Sequence, residues 1–444
     1  SGFTQCETST AWCDSNVVVG FNDSGSFFET SSLPPRPGVG LSSNGVARST
    51  NKGVTYTDLG FLTPGPPGTS LLGDPVLACA NATTFYYASL FETSTRSAIS
   101  VSKSLNGGAT FGNPIPAASK DLDDHFLDKE WMTVDPSDPN RIYVTYTDFD
   151  LSATVCGVDE EGFPIPRTAI ELVRSTDGGV SWDAPEVIAE VCGFEPLVQG
   201  SQVAVGPGGE VYVGWEAFTS FLEREIDIRK STDNGLTFDA AVKVADVTPV
   251  GDGFLLQGAF RAAFEFPSLA VDRSGTATNG HVYLTWHNGS LTVGDEFAGT
   301  YSYADVLLSR STDEGATWSA PVTVNDNPEP LSPDFGTDQY QPGLAVNNKN
   351  GTLAVCFYDR RRDPLNFLID RECATSTNTG ANWTNARQTM KNFAAVPGQD
   401  LMLNPFYMGD YDSLASDSTK ANPGFVGAYG DNSRGNPDIR AVKF

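Results

Sequence analysis

Positive charge is scarce in this sequence. Its 444 residues include 28 lysines and arginines against 55 aspartates and glutamates, which gives a net charge of −27 at pH 7. Nucleic-acid binding depends on basic surfaces that contact phosphate groups, so no nucleic-acid partner is expected. An acidic surface favours solubility and is typical of a secreted protein. The one cofactor that this charge suggests is Ca²⁺.

Long apolar runs are also missing. No stretch of about 18 apolar residues occurs, which is the length that a membrane-spanning helix requires, so no membrane span is expected. No signal peptide begins at Ser1. Glycine and proline are abundant instead, with 44 and 28 residues, and aromatic residues make up 11% of the chain. This composition predicts a large all-β protein with many turns.

Cysteines with the spacing of a metal site are absent. The seven cysteines form no Cys-x-x-Cys motif, which favours disulfides in an oxidising, extracellular compartment. We predict the pairs Cys156–Cys192 and Cys356–Cys373, and the other three cysteines allow one more disulfide. Five sequons, which permit N-glycosylation in a eukaryotic secretory route, begin at Asn22, Asn81, Asn288, Asn350 and Asn382.

One nine-residue pattern occurs six times. It reads RSTDGGVSW at Arg174–Trp182, with Ser second, Asp or Asn fourth, Gly sixth and an aromatic residue last. Asp and Gly favour a tight turn between two strands. Repetition at intervals of 55 to 80 residues indicates a repeat architecture. The other copies are Arg48–Tyr56, Lys103–Phe111, Lys230–Phe238, Arg310–Trp318 and Thr375–Trp383.

This pattern resembles the Asp-box, or BNR repeat, of the sialidase superfamily of β-propellers. An aromatic-rich strand such as RIYVTYTDF precedes each copy, so each repeat supplies the four strands of a blade. The resemblance implies that the turn fastens its blade and carries no chemistry. We predict one all-β domain, a seven-bladed β-propeller of four-stranded antiparallel blades closed with the N-terminus. The blades span about residues 5–62, 73–118, 127–190, 199–246, 264–324, 338–392 and 409–444.

Polar residues gather on the face opposite these turns. In a propeller that face collects the starts of first strands and the ends of second strands. We expect a central pocket there and predict that its polar residues bind substrate, although they could instead cap backbone amides or form ion pairs. Glu7 and Asp410 belong to this polar ring. The predicted substrate-binding residues are Asp74, Lys129, Glu130, Gln202, Arg261, Glu265, Gln341 and Asp412.

Two of the three histidines map to the same face. His125 lies in Asp121–Trp131, DLDDHFLDKEW, which concentrates five carboxylates but matches no known metal-binding loop, so the identity of any metal stays undefined. His287 ends the second strand of the fifth blade. Histidine suits proton transfer near neutral pH, which makes both residues candidates for a general base, although a lone histidine is more often structural.

Three consecutive arginines leave an inner strand in Phe357–Pro364, FYDRRRDP. Guanidinium groups bind carboxylates in a planar geometry with two parallel hydrogen bonds. Arg360 and Arg361 therefore suit a clamp for an anionic sugar. Ion pairs with nearby aspartates are an equal alternative for these arginines.

The resemblance extends to seven-bladed polysaccharide lyases that act on uronic acids. β-Elimination needs a group that neutralises the uronate carboxylate, a base for the C5 proton and an acid for the leaving oxygen. Arginine, histidine and tyrosine are suitable residue types. In this chain the predicted face and the residue types suggest a clamp of Arg360 or Arg361, a base in His287 or His125, and an acid in Tyr358, Tyr340 or Tyr411.

Three functions stay open at the level of sequence. True sialidases hold the substrate carboxylate with three arginines and use a Tyr–Glu nucleophile pair with an Asp acid, but their N-terminal Phe/Tyr-Arg-Ile-Pro motif is absent here. We expect a secreted, monomeric enzyme that cleaves an acidic, uronate- or sialate-containing extracellular glycan. A polysaccharide lyase is slightly preferred to a sialidase-like glycoside hydrolase. A non-catalytic propeller that binds glycan or protein is the third possibility.

Overall fold

The computed structural model describes residues 4–26, 40–220, 223–253, 255–262, 264–295, 299–328, 336–395, 406–417, 424–435 and 437–444. The chain is all-β and forms a seven-bladed β-propeller built mainly of four-stranded antiparallel sheets, which confirms the predicted fold class. It divides into two compact units, one of Ser9–Val242 and one that joins Ser1–Thr8 to Lys243–Phe444.

Blades one to four form the unit of Ser9–Val242, and only the two ends of this stretch of strands extend into the other unit. Blade one contains β1 (Gln5–Cys13), β2 (Asn16–Asp23), β3 (Asn44–Ser49) and β4 (Thr57–Phe61). In blade two, β5 (Thr69–Leu71) and β6 (Val76–Cys79) both pair with β7 (Phe85–Thr93), followed by β8 (Arg96–Ser104) and β9 (Ile115–Asp121). Blade three contains β10 (His125–Val134), β11 (Ile142–Asp150), β12 (Arg167–Ser175) and β13 (Glu186–Cys192). Blade four contains β14 (Leu197–Val205), β15 (Val211–Phe218), β16 (Arg224–Ser231) and β17 (Val242–Val247).

Blades five to seven belong to the other unit. A short hairpin of β18 (Leu255–Leu256) and β19 (Phe260–Arg261) precedes them. Blade five contains β20 (Ser268–Val271), β21 (Val282–Asp295), β22 (Gly299–Ser311) and β23 (Val322–Thr323). Blade six contains β24 (Gln339–Val346), β25 (Leu353–Asp359), β26 (Leu368–Ser376), β27 (Thr384–Arg387) and β28 (Phe393–Ala394), which pairs with β26. Blade seven contains β29 (Leu414–Ser416), β30 (Phe425–Asp431) and β31 (Asp438–Lys443).

Aromatic side chains of the second strands fill the core. In the unit of Ser9–Val242, Tyr143 of β11 and Trp215 of β15 are buried among the valines and isoleucines of β12 and β14. Tyr283 of β21 packs in the same way in the other unit. Each such side chain contributes about 1.5–3 kcal/mol by leaving water. The aromatic-rich second strands of the sequence are therefore core strands.

The repeated turns share one hydrogen-bond pattern. In the copy at Arg174–Trp182, the Ser181 hydroxyl donates to Asp177 Oδ2 (2.6 Å) and the Ser175 hydroxyl donates to Asp177 Oδ1 (2.8 Å). The Ser175 oxygen accepts from the amide of Gly179, whose φ of 84° favours glycine. These donors, led by Ser181, hold the pKa of Asp177 well below its ordinary value. The Ser and Asp side chains are thus engaged within the turn, which supports a structural role.

Both predicted disulfides are confirmed. Cys156–Cys192 ties the segment after β11 to the end of β13, and Cys356–Cys373 joins facing residues of β25 and β26. A third disulfide joins Cys13 of β1 to Cys79 of β6, and Cys6 is buried outside these pairs. Among the residues with described structure, no helix is long and apolar enough to cross a bilayer.

Candidate functional site

First strands of several blades contain a residue with a positive φ angle. Pairing shifts register between Asp128 and Trp131 in β10 and between Tyr340 and Gly343 in β24. Such a backbone conformation costs a non-glycine residue about 1–3 kcal/mol and concentrates at functional sites, and bulges redirect side chains there. The residues in this conformation at or beside first strands are Glu7, Asp74, Lys129 and Gln341, with φ of 53°, 54°, 51° and 50°.

The bulge of β10 contains Lys129 and Glu130, and the charge of Asp74 acts on Glu130. All three are predicted substrate-binding residues. The Lys129 ammonium lies 5.2 Å from the centre of the Trp131 ring. Glu130 is fully buried, and neither of its carboxylate oxygens has a hydrogen-bond partner among the described residues. Burial, followed by the negative charge of Asp74, raises the pKa of Glu130 well above its ordinary value and favours its neutral form. Gln202 follows the corresponding bulge of β14 and is also buried.

His125 lies in a network of ion pairs at the start of β10. Its Nδ1 is 2.9 Å from Asp148 and its Nε2 is 3.8 Å from Asp150, and the three side chains are close enough to hold a metal ion. However, the Lys120 ammonium is 2.6 Å and the Arg167 guanidinium 3.2 Å from Asp148. These two positive charges lie against Asp148 and oppose the binding of a divalent cation there.

The arginines of the FYDRRRDP segment face carboxylates of the protein. Arg360 is fully buried and its Nη1 lies 3.5 Å from Asp338. Arg361 Nε donates to Asp359 (2.7 Å) and its Nη1 contacts Asp326. Burial raises the pKa of Asp359 to about 6, although Arg361 lowers it. Arg360 Nε and Nη2 and Arg361 Nη2 have no hydrogen-bond partner among the described residues. Both arginines thus form ion pairs, and their role as a clamp for an anionic sugar stays a prediction.

His287, Glu265 and Gln341 contact the backbone in the unit that contains blade five. His287 is 1% exposed, with Nε2 2.9 Å from the carbonyl oxygen of Ala262 and Nδ1 3.4 Å from the amide nitrogen of Gln341. The side chain of Gln341 donates to the carbonyl of Gly409 (2.6 Å). Glu265 accepts a hydrogen bond from a backbone amide (3.0 Å). These contacts hold loops in place and leave His287 little access to a substrate.

Tyr358 and Asp412 lie together in the interior of the same unit. The Tyr358 hydroxyl accepts from the amide of Gly430 (2.9 Å), and the Arg371 guanidinium carbon is 4.7 Å from the centre of its ring. Asp412 forms a buried ion pair with Arg371 (3.2 Å). Burial, and then the charge of Asp412, raises the pKa of Tyr358 well above its ordinary value. Of the other predicted acids, Tyr340 is fully buried as well.

A second polar cluster joins β1 to the segment that leads into blade seven, within the unit of Ser1–Thr8 and Lys243–Phe444. The Tyr407 hydroxyl donates to Glu7 Oε1, and the amide of Asp410 donates to the same oxygen (2.9 Å). Arg261 Nη2 contacts both carboxylate oxygens of Asp410, at 2.8 and 2.6 Å. Its guanidinium carbon lies 4.7 Å from the centre of the Tyr407 ring. Glu7 is buried, whereas the side chain of Arg261 is 29% exposed, so solvent reaches the cluster.

This cluster has the groups of an activated nucleophile. A hydroxyl that donates to a buried carboxylate can transfer its proton there as it attacks. Burial lowers the pKa of Arg261, but the charge of Asp410 and then that of Tyr407 raise it by more, so the pKa lies above its ordinary value. The guanidinium beside the phenol ring is therefore a cation. Within the part of the chain that the structure describes, Arg261 Nε has no hydrogen-bond partner. The cluster therefore combines a nucleophile, a base and an anion-binding group.

Tyr407 is the residue that sequence reasoning missed. Glu7 and Asp410 were in the predicted polar ring and Arg261 was a predicted substrate-binding residue, but Tyr407 is 400 positions from Glu7 and no local pattern links the two. The usable signal is an aromatic residue at the end of the long insertion before blade seven, next to Asp410.

Comparisons with known proteins show similarity of fold. No protein-family model matches the sequence, and no curated protein matches it significantly. A Hadza microbial sialidase superposes with a TM-score of 0.52 at 13% identity, covering 97% of this chain and 74% of its own. An α-L-arabinofuranosidase from Fusarium graminearum has a TM-score of 0.51 at 12% identity, with 80% and 88% covered. An α-L-arabinanase from Penicillium chrysogenum has a TM-score of 0.50 at 12% identity, with the same coverage.

Proposed function

We propose that this protein is an extracellular carbohydrate-active enzyme, a glycoside hydrolase that cleaves an acidic glycan with Tyr407 as nucleophile and Glu7 as its base. The hydrogen bond from Tyr407 to buried Glu7, beside the cation of Arg261, carries the proposal. A Tyr–Glu pair is also what the resemblance to the sialidase superfamily implies. The similar folds include proteins named as glycoside hydrolases, and three disulfides are compatible with secretion.

The reaction follows from the contacts of Tyr407. Its hydroxyl oxygen attacks the anomeric carbon while its proton passes to Glu7 Oε1, and the glycosidic bond breaks. A second carboxyl group must protonate the departing oxygen, and Asp410 is available for this role. Water then attacks the anomeric carbon and gives its proton to the Asp410 carboxylate, the bond between the sugar and Tyr407 breaks, and Glu7 returns the proton to the phenol oxygen. The developing negative charge on that oxygen is stabilised by Arg261.

Arg261 suits an acidic substrate. Its Nη2 is held by Asp410, whereas its Nε has no hydrogen-bond partner in the described structure. A sugar carboxylate that binds this guanidinium competes with Asp410 for the cation. Asp410 then no longer pairs with the positive charge of Arg261, which stabilises the ionised carboxylate. Without this pairing Asp410 can hold the proton that the departing oxygen needs. Binding of an acidic sugar thereby prepares the acid for the reaction.

The test uses a panel of sialylated and uronate-containing glycans. Reducing ends and the ultraviolet absorbance of an unsaturated uronate are recorded together. A hydrolase gives new reducing ends without the absorbance, whereas a lyase gives both. Tyr407→Phe should abolish the activity. The matched control is Tyr146→Phe, because the Tyr146 hydroxyl also donates to a glutamate, Glu171, at 2.8 Å. If no glycan yields new reducing ends, the remaining function is that of a propeller that binds glycan or protein without cleaving it.

A uronate lyase is the second candidate because of the position of His125. Its side chain is 17% exposed and its Nδ1 is oriented by Asp148, with Lys120 close to the same carboxylate. An imidazole held in this way suits proton transfer from a sugar C5, and Lys120 could contact the uronate. If the panel yields the absorbance and His125→Ala removes it while Tyr407→Phe does not, the lyase replaces the hydrolase.

A further inference from the structure

The residue after Glu7 is bound to a carboxylate of blade seven. The Thr8 hydroxyl lies 2.8 Å from Asp412 Oδ1 and 2.7 Å from the carbonyl oxygen of Ala428, and the Thr8 amide lies 3.3 Å from the same carboxylate oxygen. The amide of Ser413 donates back to the Thr8 carbonyl (3.0 Å). Thr8 and Asp412 also form a parallel β-bridge. Asp412 therefore fixes the backbone directly beside Glu7, which itself has a φ of 53°.

Asp412 is fixed in turn by Arg371. The two side chains are 2% and 1% exposed, and Arg371 Nη1 is 3.2 Å from Asp412 Oδ2. The guanidinium carbon of Arg371 lies 4.7 Å from the ring centre of Tyr358 and 5.7 Å from that of Tyr429. The guanidinium therefore packs against both aromatic rings. The carboxylate of Asp412 thus has one oxygen for Arg371 and one for Thr8.

The segment that carries Tyr407 packs directly on β1. A Cβ atom added to Gly409 would lie 3.0 Å from Cβ of Cys6 and 3.0 Å from Cγ of Glu7, so no side chain fits between them. Gly409 has a φ of 100° and accepts a hydrogen bond from Gln341. One short segment therefore supplies Tyr407, binds the Glu7 carboxylate through Asp410 and holds Thr8 through Asp412.

We propose that Arg371, Asp412 and Thr8 form a positioning network that sets the Glu7 carboxylate against the Tyr407 hydroxyl, an inference that rests on the proposed roles of Tyr407 and Glu7. None of the three residues touches a reacting atom. They act through the backbone of β1, which must keep its positive φ at Glu7 for the carboxylate to reach the phenol. Asp412, expected from the sequence to bind substrate, has this positioning role instead.

The experiment follows Tyr407 itself as well as activity. The protein is labelled with ¹³C at tyrosine Cζ, and the Tyr407 signal is assigned as the one that Tyr407→Phe removes. Thr8→Val keeps the shape of the side chain and deletes its hydrogen bond to Asp412, and Asp412→Asn deletes the charge. Both variants should shift the Tyr407 signal and its pH titration. Both should lower kcat on a cleaved glycan by about ten- to a hundredfold with little change in KM, because misplacement of a base affects the chemical step.

A matched control lies in blade three. Asp135 is equally buried and also binds an arginine and a hydroxyl group, with Arg141 at 2.9 Å and Ser137 at 2.7 Å. Asp135→Asn should lower the melting temperature and leave the Tyr407 signal unchanged. An unchanged Tyr407 signal and titration in folded Thr8→Val would overturn the positioning network, and this variant decides the question if Asp412→Asn does not fold. If the signal shifts but no glycan is cleaved, the network stands and the proposed hydrolase fails.

Discussion

Among the described residues, two tyrosine–glutamate hydrogen bonds have surroundings that differ. Tyr146 donates to Glu171 in blade three, where Lys120 (2.7 Å) and Arg167 (3.5 Å) contact the glutamate. Burial, and then the charge of Glu171, raises the pKa of the Tyr146 phenol well above its ordinary value.

Around Tyr407 the cation lies on the other partner. Arg261 stands over the ring of Tyr407 and is partly exposed, while Glu7 accepts from Tyr407 and from the amide of Asp410. A cation beside the carboxylate makes it a weaker base, whereas a cation beside the phenol stabilises the phenolate. The position of the cation therefore distinguishes the pair of Tyr146 from the pair for which we propose a catalytic role.

The sharpest way to break this comparison is to remove each phenol oxygen in turn. Tyr407→Phe should lower kcat by about 10²- to 10⁴-fold, the contribution of nucleophile and base acting together. Tyr146→Phe should leave kcat unchanged, because its glutamate keeps two cations. Initial rates on the most active glycan of the panel measure both. Equal losses of kcat in the two variants would show that the position of the cation does not determine which pair is reactive.

The next effect concerns stability. Lys120→Met removes one of the cations that compensate Asp148 and Glu171, both of which are almost fully buried. An uncompensated buried charge costs about 3 kcal/mol, so the free energy of unfolding should fall by about that amount. Denaturant titration at neutral pH measures the change. A fall of well under about 1 kcal/mol, the value of a surface pair, would show that the network of blade three contributes no more than surface charges do.

A smaller effect is expected at Arg261. Arg261→Lys keeps the charge but loses the fork that can hold Asp410 and a substrate carboxylate together. The loss of one charge-assisted hydrogen bond corresponds to about 1.5 kcal/mol, or roughly a tenfold lower kcat/KM. The same substitution at Arg167 should not change kcat/KM. Equal kcat/KM for an acidic glycan and its neutral analogue in both wild type and Arg261→Lys would remove Arg261 from substrate recognition.

The smallest effect extends the comparison to Glu130, a buried carboxyl group without a hydrogen-bond partner among the residues described. Its pKa is raised when the chain is folded, above about 4.3 in the unfolded chain. Between these two pKa values the folded chain binds more protons, so stability falls as pH rises through this window. Glu130→Gln has no such titration. The melting temperature of the variant minus that of wild type should therefore increase from pH 4 to pH 8, and a constant difference would contradict the raised pKa.

The sequence predicts what depends on local patterns. The turn at Arg174–Trp182 contains its own Ser, Asp and Gly, and the facing positions of Cys356 and Cys373 follow from neighbouring strands of one blade. These features need no knowledge of distant residues. The all-β class and six of the blades follow from the repetition of the turn, and the seventh follows from the strand pattern of residues 409–444.

The candidate site depends on distant contacts and was only partly predictable. The charge of Arg361 was visible in the sequence, but its neutralisation by Asp326, 35 residues away, was not. His287 was expected to be accessible, whereas its ring meets the backbone of Ala262. Contacts between residues hundreds of positions apart arise from the curvature of the sheets and the path of long insertions, which composition and periodicity do not encode.

The location of Cys6 has a consequence for preparing the protein. Cys6 is buried next to Glu7 and is outside the three disulfides. During oxidative refolding its thiol competes for the six cysteines that form those bridges, and a mispaired Cys6 would pull β1 away from the segment of Gly409. In such misfolded material Glu7, the proposed base, would be displaced although the blades were still folded. The specific activity of a preparation would therefore report its disulfide pairing more sensitively than its β-sheet content does.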